Sequence, residues 1–245
     1  MTTTPLFLDI ELAPSKALVW GMFGVYIKPN QVVGDSYVLS WAAKWHGQDE
    51  VSYSSLGMTS KKGMLKEIYK LLNEAEVVVT YNGDRFDLKI LNQEFMLQGW
   101  DPPKPYKSID LLKTMKKNFR GVFNKLDYWL KKLDLQEKVE NRGMSLWIDC
   151  MNKDPDAFAE MEEYNIGDVV SLEQLYDRVK PWITNLPNQS AITQSCVCPT
   201  CGTSKLQSRG FTLTGHRRFR CENGHWSQST YIEKAKKFTK LKRLT

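Results

Sequence analysis

The chain has 245 residues, of which 42% are hydrophobic and 25% are charged. This composition is typical of a globular protein with a sizeable core, and it excludes extensive disorder. No apolar run approaches the roughly 18 residues of a membrane span. The first residues, Met1–Pro5, do not form a basic segment followed by an apolar one. We therefore expect a cytoplasmic protein, not secreted, with reduced thiols.

The net charge of +6 is distributed unevenly along the chain. Residues 196–245 contain eleven Lys and Arg against two Asp and Glu, whereas residues 1–195 contain 23 basic and 26 acidic residues. A basic end on a slightly acidic body favours a polyanionic partner, with nucleic acid first among them, although it could also serve solubility alone. We expect nucleic acid as the partner and no membrane, and the sequence indicates no particular protein partner.

The predicted elements begin with strands, continue with alternating strands and helices, and end with helices. β-Branched and aromatic residues predict the strands, and apolar residues three and four apart predict the helices. Strands are predicted at 6–12, 17–27, 37–45, 50–54, 77–81 and 106–109. Helices are predicted at 61–75, 85–98, 111–119, 125–133, 145–151, 156–164 and 169–179. This order favours an α/β fold built on a mixed sheet.

Two carboxylates interrupt the first predicted strand. Asp9 and Glu11 are two residues apart, so they point to the same face of the strand. Two acids on one face of a largely apolar strand repel each other and resist burial. A divalent cation such as Mg²⁺ or Mn²⁺ would relieve both penalties. The alternative is an edge strand with a solvated polar face.

A second group of polar residues follows the predicted strand at 77–81. Asn82 and Gly83 form a turn, and Asp87 falls in the first turn of the next helix, where the helix dipole favours an acid with or without a metal. We expect Asp84 to cap that helix.

A third group lies in the last helical region. Tyr164 and Asp168 are four residues apart and share a helical face. Asp168 is followed by core-forming residues, so its carboxylate needs a partner or a metal unless it lies on the helix surface.

These three segments together resemble the DnaQ-like 3′–5′ exonucleases of the ribonuclease H-like superfamily, in the subgroup with four acids and a tyrosine. The first motif of that family, Asp-x-Glu, matches Asp9 and Glu11. The second motif, in the Asn-Gly-x-x-Phe-Asp form of family-B DNA polymerase exonuclease domains, matches Asn82, Gly83, Phe86 and Asp87, and the third, Tyr-x-x-x-Asp, matches Tyr164 and Asp168. The resemblance covers about residues 5–180 and implies a ribonuclease H-like mixed sheet flanked by helices.

The resemblance implies a metal-dependent 3′–5′ exonuclease that hydrolyses phosphodiester bonds and releases nucleoside 5′-monophosphates. Single-stranded DNA is the favoured substrate. Two Mg²⁺ or Mn²⁺ ions would be held by the four acids, Asp9, Glu11, Asp87 and Asp168. Asp9 would bridge the two ions, and Asp87 would act on the second. Tyr164 would orient the attacking water, and Asn82 would contact the terminal nucleotide or brace its motif.

The C-terminal part carries the spacing of a structural zinc site. Cys198 and Cys201 flank a tight Pro-Thr loop, and Cys221 and His225 form a second pair. Three Cys and one His with a hairpin between the pairs resemble a zinc ribbon, with strands expected at 206–213 and 217–221. Cys196 could replace Cys198 as a ligand or be a spare thiol, and the Cys-Pro-x-Cys-Gly form favours Cys198. The fifth cysteine, Cys150, is expected to be a small buried side chain.

Cations lie beside aromatic rings in the same module, a mixture that binds phosphates and stacks on bases. The predicted nucleic-acid contacts, besides Asn82, are Arg217, Arg218, Phe219, Arg220 and Trp226. The predicted organisation is an exonuclease domain at 1–190, a zinc ribbon at 191–232 and a basic tail at 233–245. Two alternatives stay open: a structure-selective endonuclease, or a nucleic-acid-binding protein on the same fold.

Overall fold

The computed structural model describes residues 4–135, 141–188 and 195–232. These residues separate into two compact units, one ending at Thr184 and the other beginning at Asn185. None of the helices in these ranges combines the length and the apolar character of a membrane-spanning segment. The basic tail predicted at 233–245 lies outside the described residues, and the domain boundaries at 190 and 232 stay predictions.

The first unit is built on a five-stranded sheet with helices on both faces, so the predicted α/β class with a mixed sheet is confirmed. The strands described in the first unit, inside and outside this sheet, are β1 (Leu6–Ala13), β2 (Lys16–Ala17), β3 (Val32–Gly34), β4 (Tyr37–Trp45), β5 (Val51–Ser55), β6 (Val77–Thr80) and β7 (Lys107–Asp110). The sheet order is β5-β4-β1-β6-β7, with β2 and β3 pairing separately. β1 is antiparallel to β4 and parallel to β6, which is parallel to β7.

The described residues of this unit also form six helices: α1 (Lys61–Glu74), α2 (Asp87–Leu97), α3 (Leu111–Asn118), α4 (Leu126–Lys132), α5 (Met144–Met151) and α6 (Pro155–Val179). Short 3₁₀ turns occur at Pro29–Gln31 and Lys180–Trp182. The hydroxyl of Ser60 accepts a hydrogen bond from Gly63 N at the start of α1, and the Asp154 carboxylate accepts from Asp156 N at the start of α6. Both are N-cap residues of the preferred types.

The central strand β1 divides its side chains between two cores. Leu6, Leu8 and Ile10 are buried in one hydrophobic cluster with residues of α1 and α2. The ring of Phe7 packs on the other face against Tyr176 of α6, with centroids 5.3 Å apart. Since side chains alternate along a strand, Asp9 and Glu11 lie on the same face as Phe7, toward α6. Burying each of the three aliphatic side chains contributes about 1.5–3 kcal/mol.

Two predicted elements differ from the structure. The strand predicted at 17–27 is limited to the two residues of β2, and residues 18–27 form an exposed segment. Its aromatic and β-branched residues raised its strand propensity, but no sheet edge among the residues that the structure describes pairs with them. The helices predicted at 156–164 and 169–179 are a single helix, α6, with Gly167 in its interior. The contacts of α6 with β1 and β4 outweigh the cost of about 1 kcal/mol for that glycine.

The second unit is a three-stranded antiparallel sheet in the order β10-β9-β8. The strands are β8 (Leu206–Phe211), β9 (His216–Cys221) and β10 (Trp226–Ile232), and the third of them was not predicted. Among the side chains described in this unit, only those of Cys198 and Cys221 are buried. The described part of this unit therefore has no apolar core, and its stability must come from elsewhere.

Candidate active site and candidate zinc centre

The fold brings three of the predicted acids together. One carboxylate oxygen each from Asp9, Glu11 and Asp168 lies within 4.8 Å of the others. β1 supplies the first two on one face, and α6, which packs on that face, supplies the buried Asp168. Three carboxylates so close together repel one another unless a cation lies between them. Their hard oxygen donors are of the kind that Mg²⁺ and Mn²⁺ prefer.

A fully buried asparagine positions Asp9. Asn165 of α6 donates from Nδ2 to Asp9 Oδ2 at 2.7 Å, and its Oδ1 accepts from Ser40 Oγ at 3.1 Å. Ser40 lies on β4 directly opposite Glu11 of β1. Hydrogen bonds at both ends of the amide fix its orientation, so Asn165 links three elements and holds the Asp9 carboxylate in one rotamer.

A tryptophan has the corresponding role at Glu11. Trp147 of α5 donates from Nε1 to Glu11 Oε2 at 3.1 Å. The indole also packs edge-on against the ring of Tyr164, with centroids 5.9 Å apart. Tyr164 lies one helical turn before Asp168, so this contact fixes the phenol beside the acids. The hydrogen bond to Glu11 is charge-assisted and therefore stronger than one between neutral groups.

The fourth predicted acid lies apart from the other three. Asp87 is the first residue of α2 and is not a member of the three-acid group. Its buried Oδ1 accepts a hydrogen bond from Ile10 N at 3.2 Å, between the two acids of β1. Burial raises the pKa of Asp87 to about 6, against the lowering effect of backbone hydrogen bonds. The structure thus places Asp87 at the backbone of the acid-bearing strand.

The turn before α2 is held by hydrogen bonds and close packing. Asn82 has a left-handed backbone, with φ of +71°, and its N donates to Asp110 Oδ1 at 2.9 Å. A Cβ on Gly83 would lie 2.4 Å from the Thr80 side chain, so the turn excludes any larger residue there. The prediction that Asp84 caps α2 is wrong, because its carboxylate instead accepts from Ser108 and Lys113.

The second unit brings one ligand atom each from Cys198, Cys201, Cys221 and His225 within 4.8 Å of one another. The Cys201 and Cys221 sulfurs are 3.8 Å apart, and His225 Nδ1 is 3.5 Å from the sulfur of Cys221. Cys196 is exposed and does not join this group, so the geometry selects Cys198 of the two candidates. None of the five cysteines forms a disulfide.

The chemistry of this donor set fits zinc. Three sulfurs and one imidazole nitrogen are a common ligand set of structural Zn²⁺ sites. Burial raises the pKa of Cys201, but hydrogen bonds, including one from Asn223 Nδ2, outweigh it and lower that pKa to about 6. The backbone N of His225 donates to Cys221 Sγ at 3.3 Å. Such donors stabilise the thiolates that a metal requires.

The predicted nucleic-acid contacts of this unit divide between the two faces of β9. The guanidinium carbons of Arg218 and Arg220 lie 4.8 and 5.7 Å from the centre of the Trp226 ring, on the exposed face. Arg217 and Phe219 alternate with them on the half-buried face, where Arg217 lies over the ring of Phe211 at 5.1 Å. The structure thus brings three of the five together.

Sequence reasoning missed the residues that position the acids. Ser40, Trp147 and Asn165 were not predicted as site residues. The role of Asn165 could have been predicted, because Asn165 lies three residues before Asp168 and therefore on the same helical face as that acid. Nothing in the sequence indicates that Ser40 and Trp147 meet that face.

The comparisons with known proteins agree with this architecture. A family model of the RNase H superfamily matches residues 6–180, a range that contains all four acids and the tyrosine. No curated protein matches the sequence significantly. Among solved structures, the family B DNA polymerase from the hyperthermophilic archaeon Pyrobaculum calidifontis is similar, with a TM-score of 0.55 and 14% identity over 88% of this chain. The match covers 32% of the polymerase, so this chain spans about a third of its length, and at that identity the likeness shows the fold alone. The family match covers most of the chain, and the protein therefore belongs to the RNase H superfamily.

Proposed function

We propose that the protein is a metal-dependent 3′–5′ exonuclease that acts on nucleic acid, with single-stranded DNA favoured. The observation that carries the proposal is the group of Asp9, Glu11 and Asp168, held within 4.8 Å of one another in a chain of the RNase H superfamily. The motif spacing that resembles the exonuclease domains of family-B polymerases supports the 3′–5′ direction. The products would be nucleoside 5′-monophosphates.

The donor set fits Mg²⁺ or Mn²⁺ and would account for the convergence of the acids. Asp9, Glu11 and Asp168 would hold one cation and Asp9 would share a second, with Asp87 acting on the second site. Such a pair, when bound, stabilises the attacking and leaving oxygens of a phosphoryl displacement and lowers the pKa of the attacking water. A strong protein base is therefore unnecessary, which agrees with a site made of acids and one phenol.

The residues around the acids have positioning roles in this proposal. Asn165 fixes Asp9 through its 2.7 Å hydrogen bond, and Trp147 fixes Glu11 through its 3.1 Å hydrogen bond. Tyr164, held by its ring contact with Trp147, would orient the water toward the phosphodiester. Asn82, in a turn fixed by Asp110, would contact the terminal nucleotide. Preorganisation of this kind reduces the reorganisation required in the transition state.

The second unit is proposed to be a zinc ribbon that helps to hold the substrate. Structural Zn²⁺ bound by Cys198, Cys201, Cys221 and His225 would supply the stability that this unit's described residues lack in apolar burial. The exposed face with Arg218, Arg220 and Trp226 offers two charges for phosphates and one ring for a base. Arg217 and Phe219 would contribute from the opposite face.

One assay tests the proposed activity. A linear single strand labelled at its 5′ end and a circular single strand are incubated with the full chain and Mg²⁺ or Mn²⁺, with RNA strands in parallel. We expect a ladder that shortens from the 3′ end, release of mononucleotides and an intact circle. Asp9→Ala and Asp168→Ala should each abolish hydrolysis while the far-UV circular dichroism spectrum stays unchanged.

The alternatives predict different outcomes in the same assay. Cleavage of the circle would indicate an endonuclease. Binding of both strands without hydrolysis would indicate a nucleic-acid-binding protein that retains the fold. Metal-dependent hydrolysis that survives both substitutions would place the chemistry elsewhere and contradict the proposal.

A further inference from the structure

The segment between β2 and β3 exposes an unusual amount of apolar surface. We call residues 18–27 the aromatic loop. Apart from its two glycines, all its residues are large hydrophobics with at least 40% exposure. The rings of Trp20, Phe23 and Tyr26 are 104%, 96% and 84% exposed. Single exposed hydrophobics are ordinary, but a contiguous set marks an interaction site.

The base of the aromatic loop is fixed by hydrogen bonds. β2 and β3 pair at Lys16 with Gly34 and at Ala17 with Val32. Leu18 N donates to Gln31 O at 2.9 Å, and Gln31 Nε2 donates back to Leu18 O at 3.0 Å. Because these hydrogen bonds fix the base of the loop, the solvent exposure of its rings follows from the loop's conformation.

The topology starts the segment that carries the loop at the edge of the sheet where the acids lie. β1, β6 and β7 are parallel, so their carboxyl ends share one edge. Glu11 lies near that end of β1, and Asp87 follows the same end of β6. The chain leaves β1 there, forms β2 and then enters the aromatic loop. Trp20 is nine residues beyond Glu11, so the two Cα atoms are at most about 32 Å apart. Crevices at this edge are the usual ligand sites of open α/β sheets.

The charge of the segment fits an anionic partner. Residues 12–34 contain two lysines, Lys16 and Lys28, and no Asp or Glu. The overall charge of the rest of the first unit's sequence is not basic, so this segment differs from its surroundings. Gly24 has a left-handed backbone with φ of +63°, and a Cβ on Gly21 would meet nothing within 4 Å. The two glycines thus separate the rings along the loop and do not bring them into contact with the rest of the protein.

We propose that the aromatic loop binds unpaired bases of the strand whose 3′ end enters the acid site, by stacking on Trp20, Phe23 and Tyr26. Aromatic rings beside lysines are the usual platform for single-stranded nucleic acid, and stacking tolerates any base. A partner protein, a lipid surface or a second copy of the chain would also cover apolar residues. The start of this segment at the carboxyl edge of the sheet and the lack of Asp and Glu in residues 12–34 favour the nucleic-acid strand. This inference rests on the proposed function.

The test compares loop variants that keep or remove rings. Binding of fluorescein-labelled oligothymidylate is measured by anisotropy with the full chain carrying Asp168→Ala, so that no hydrolysis occurs. Trp20→Leu with Phe23→Leu keeps apolar side chains but removes two rings. Trp20→Tyr with Phe23→Tyr keeps the rings. We expect the leucine pair to weaken binding about 100-fold, about tenfold for each ring, and the tyrosine pair to change it by less than about threefold.

A second probe isolates the contribution of the bases. An oligonucleotide of equal length and charge, but with abasic sites, should bind the unsubstituted loop at least as weakly as the leucine pair binds oligothymidylate, because Tyr26 and Trp226 also lose their bases. Equal affinities of the leucine pair and the unsubstituted loop would overturn the inference. The leucine pair could instead lose self-association, or binding to phosphatidylcholine vesicles, while its affinity for nucleic acid is unchanged. Either result would identify a different occupant of the loop and would also overturn the inference.

The two proposals fail in different ways. The loop is tested by binding alone, whereas the proposed function is tested by hydrolysis with the unsubstituted chain. A chain that binds through its rings and does not hydrolyse contradicts the nuclease only. A chain that hydrolyses and binds equally well without the rings contradicts the loop only.

Discussion

The two units each gather candidate metal ligands within 4.8 Å, but they do so by opposite means. In the first unit the acids come from β1 and α6, and a large apolar core on both faces of the sheet holds those elements. In the second unit the ligands lie within 28 residues of sequence, and two of them are its only described buried side chains. We therefore expect the first unit to keep its fold when acids are removed, and we propose that metal bound by the ligands of the second unit stabilises its fold.

The largest expected effect is removal of metal from the second unit. Chelation of zinc, or Cys221→Ser, should unfold residues 206–232, since structural zinc contributes about 10–16 kcal/mol of apparent binding free energy at neutral pH. Hydrogen exchange should show loss of protection in β8, β9 and β10 and none in β1–β7. Cys196→Ser is the matched control and should leave protection unchanged. Protection that persists in metal-free protein would contradict the zinc proposal.

Removal of a candidate metal ligand should stabilise the first unit in the absence of metal, in contrast to the second unit. Asp168→Asn removes one of three close like charges, so in metal-free protein it should raise the free energy of unfolding by about 1 kcal/mol. Mn²⁺ at about 100 times its dissociation constant should stabilise the unsubstituted protein by about 2.7 kcal/mol and the variant by much less. Thermal unfolding with and without Mn²⁺ measures both. Equal responses of the two proteins to Mn²⁺ would exclude a metal site at Asp168.

Loss of the buried amide should cost stability as well as activity. Asn165→Ala leaves Asp9 and Ser40 without this buried partner, which we expect to lower the free energy of unfolding by about 1–3 kcal/mol. Ser40→Ala breaks only one of the two hydrogen bonds and should cost about 1 kcal/mol. Urea denaturation gives both values, and titration with Mn²⁺ should show weaker binding in Asn165→Ala. Unchanged Mn²⁺ affinity would reduce Asn165 to a structural role.

The smallest expected effect is at Trp147. Trp147→Phe keeps an aromatic ring against Tyr164 and removes the donor to Glu11. We expect a loss of about 1 kcal/mol in transition-state stabilisation, about fivefold in kcat with little change in KM. Steady-state hydrolysis of an oligonucleotide measures the two constants. An increase in KM alone would show that Trp147 acts in substrate binding and not in positioning Glu11.

Much of this arrangement could be predicted from the sequence, because local patterns carry it. The spacing of Asp9 and Glu11 places both on one face of a strand, and the four-residue spacing of Tyr164 and Asp168 places them on one face of a helix. The pair Cys198 and Cys201 and the pair Cys221 and His225 indicate a metal site by their spacing alone. Features of this kind can be predicted from residue spacing within one segment of the chain.

The remainder depends on contacts between elements far apart in sequence. Trp147 contacts Glu11, and Ser40 contacts the Asn165 amide that holds Asp9, only because α5 and β4 lie beside β1, which no local pattern reveals. The aromatic loop has the composition of a strand, but strand formation requires a paired edge that the fold does not provide. β10 was missed because its sequence is mainly polar and serine-rich, and its pairing with β9 stabilises it.

The alternation along β1 has a consequence for how this protein can change over time. Leu8 and Ile10 are buried on one face, and Asp9 and Glu11 are on the other. Insertion or deletion of a single residue within this strand would turn carboxylates into the apolar core and aliphatic side chains toward Asp168. We therefore expect the length of Leu6–Glu11 to be constrained, because an insertion or deletion there would separate Asp9 and Glu11 from Asp168.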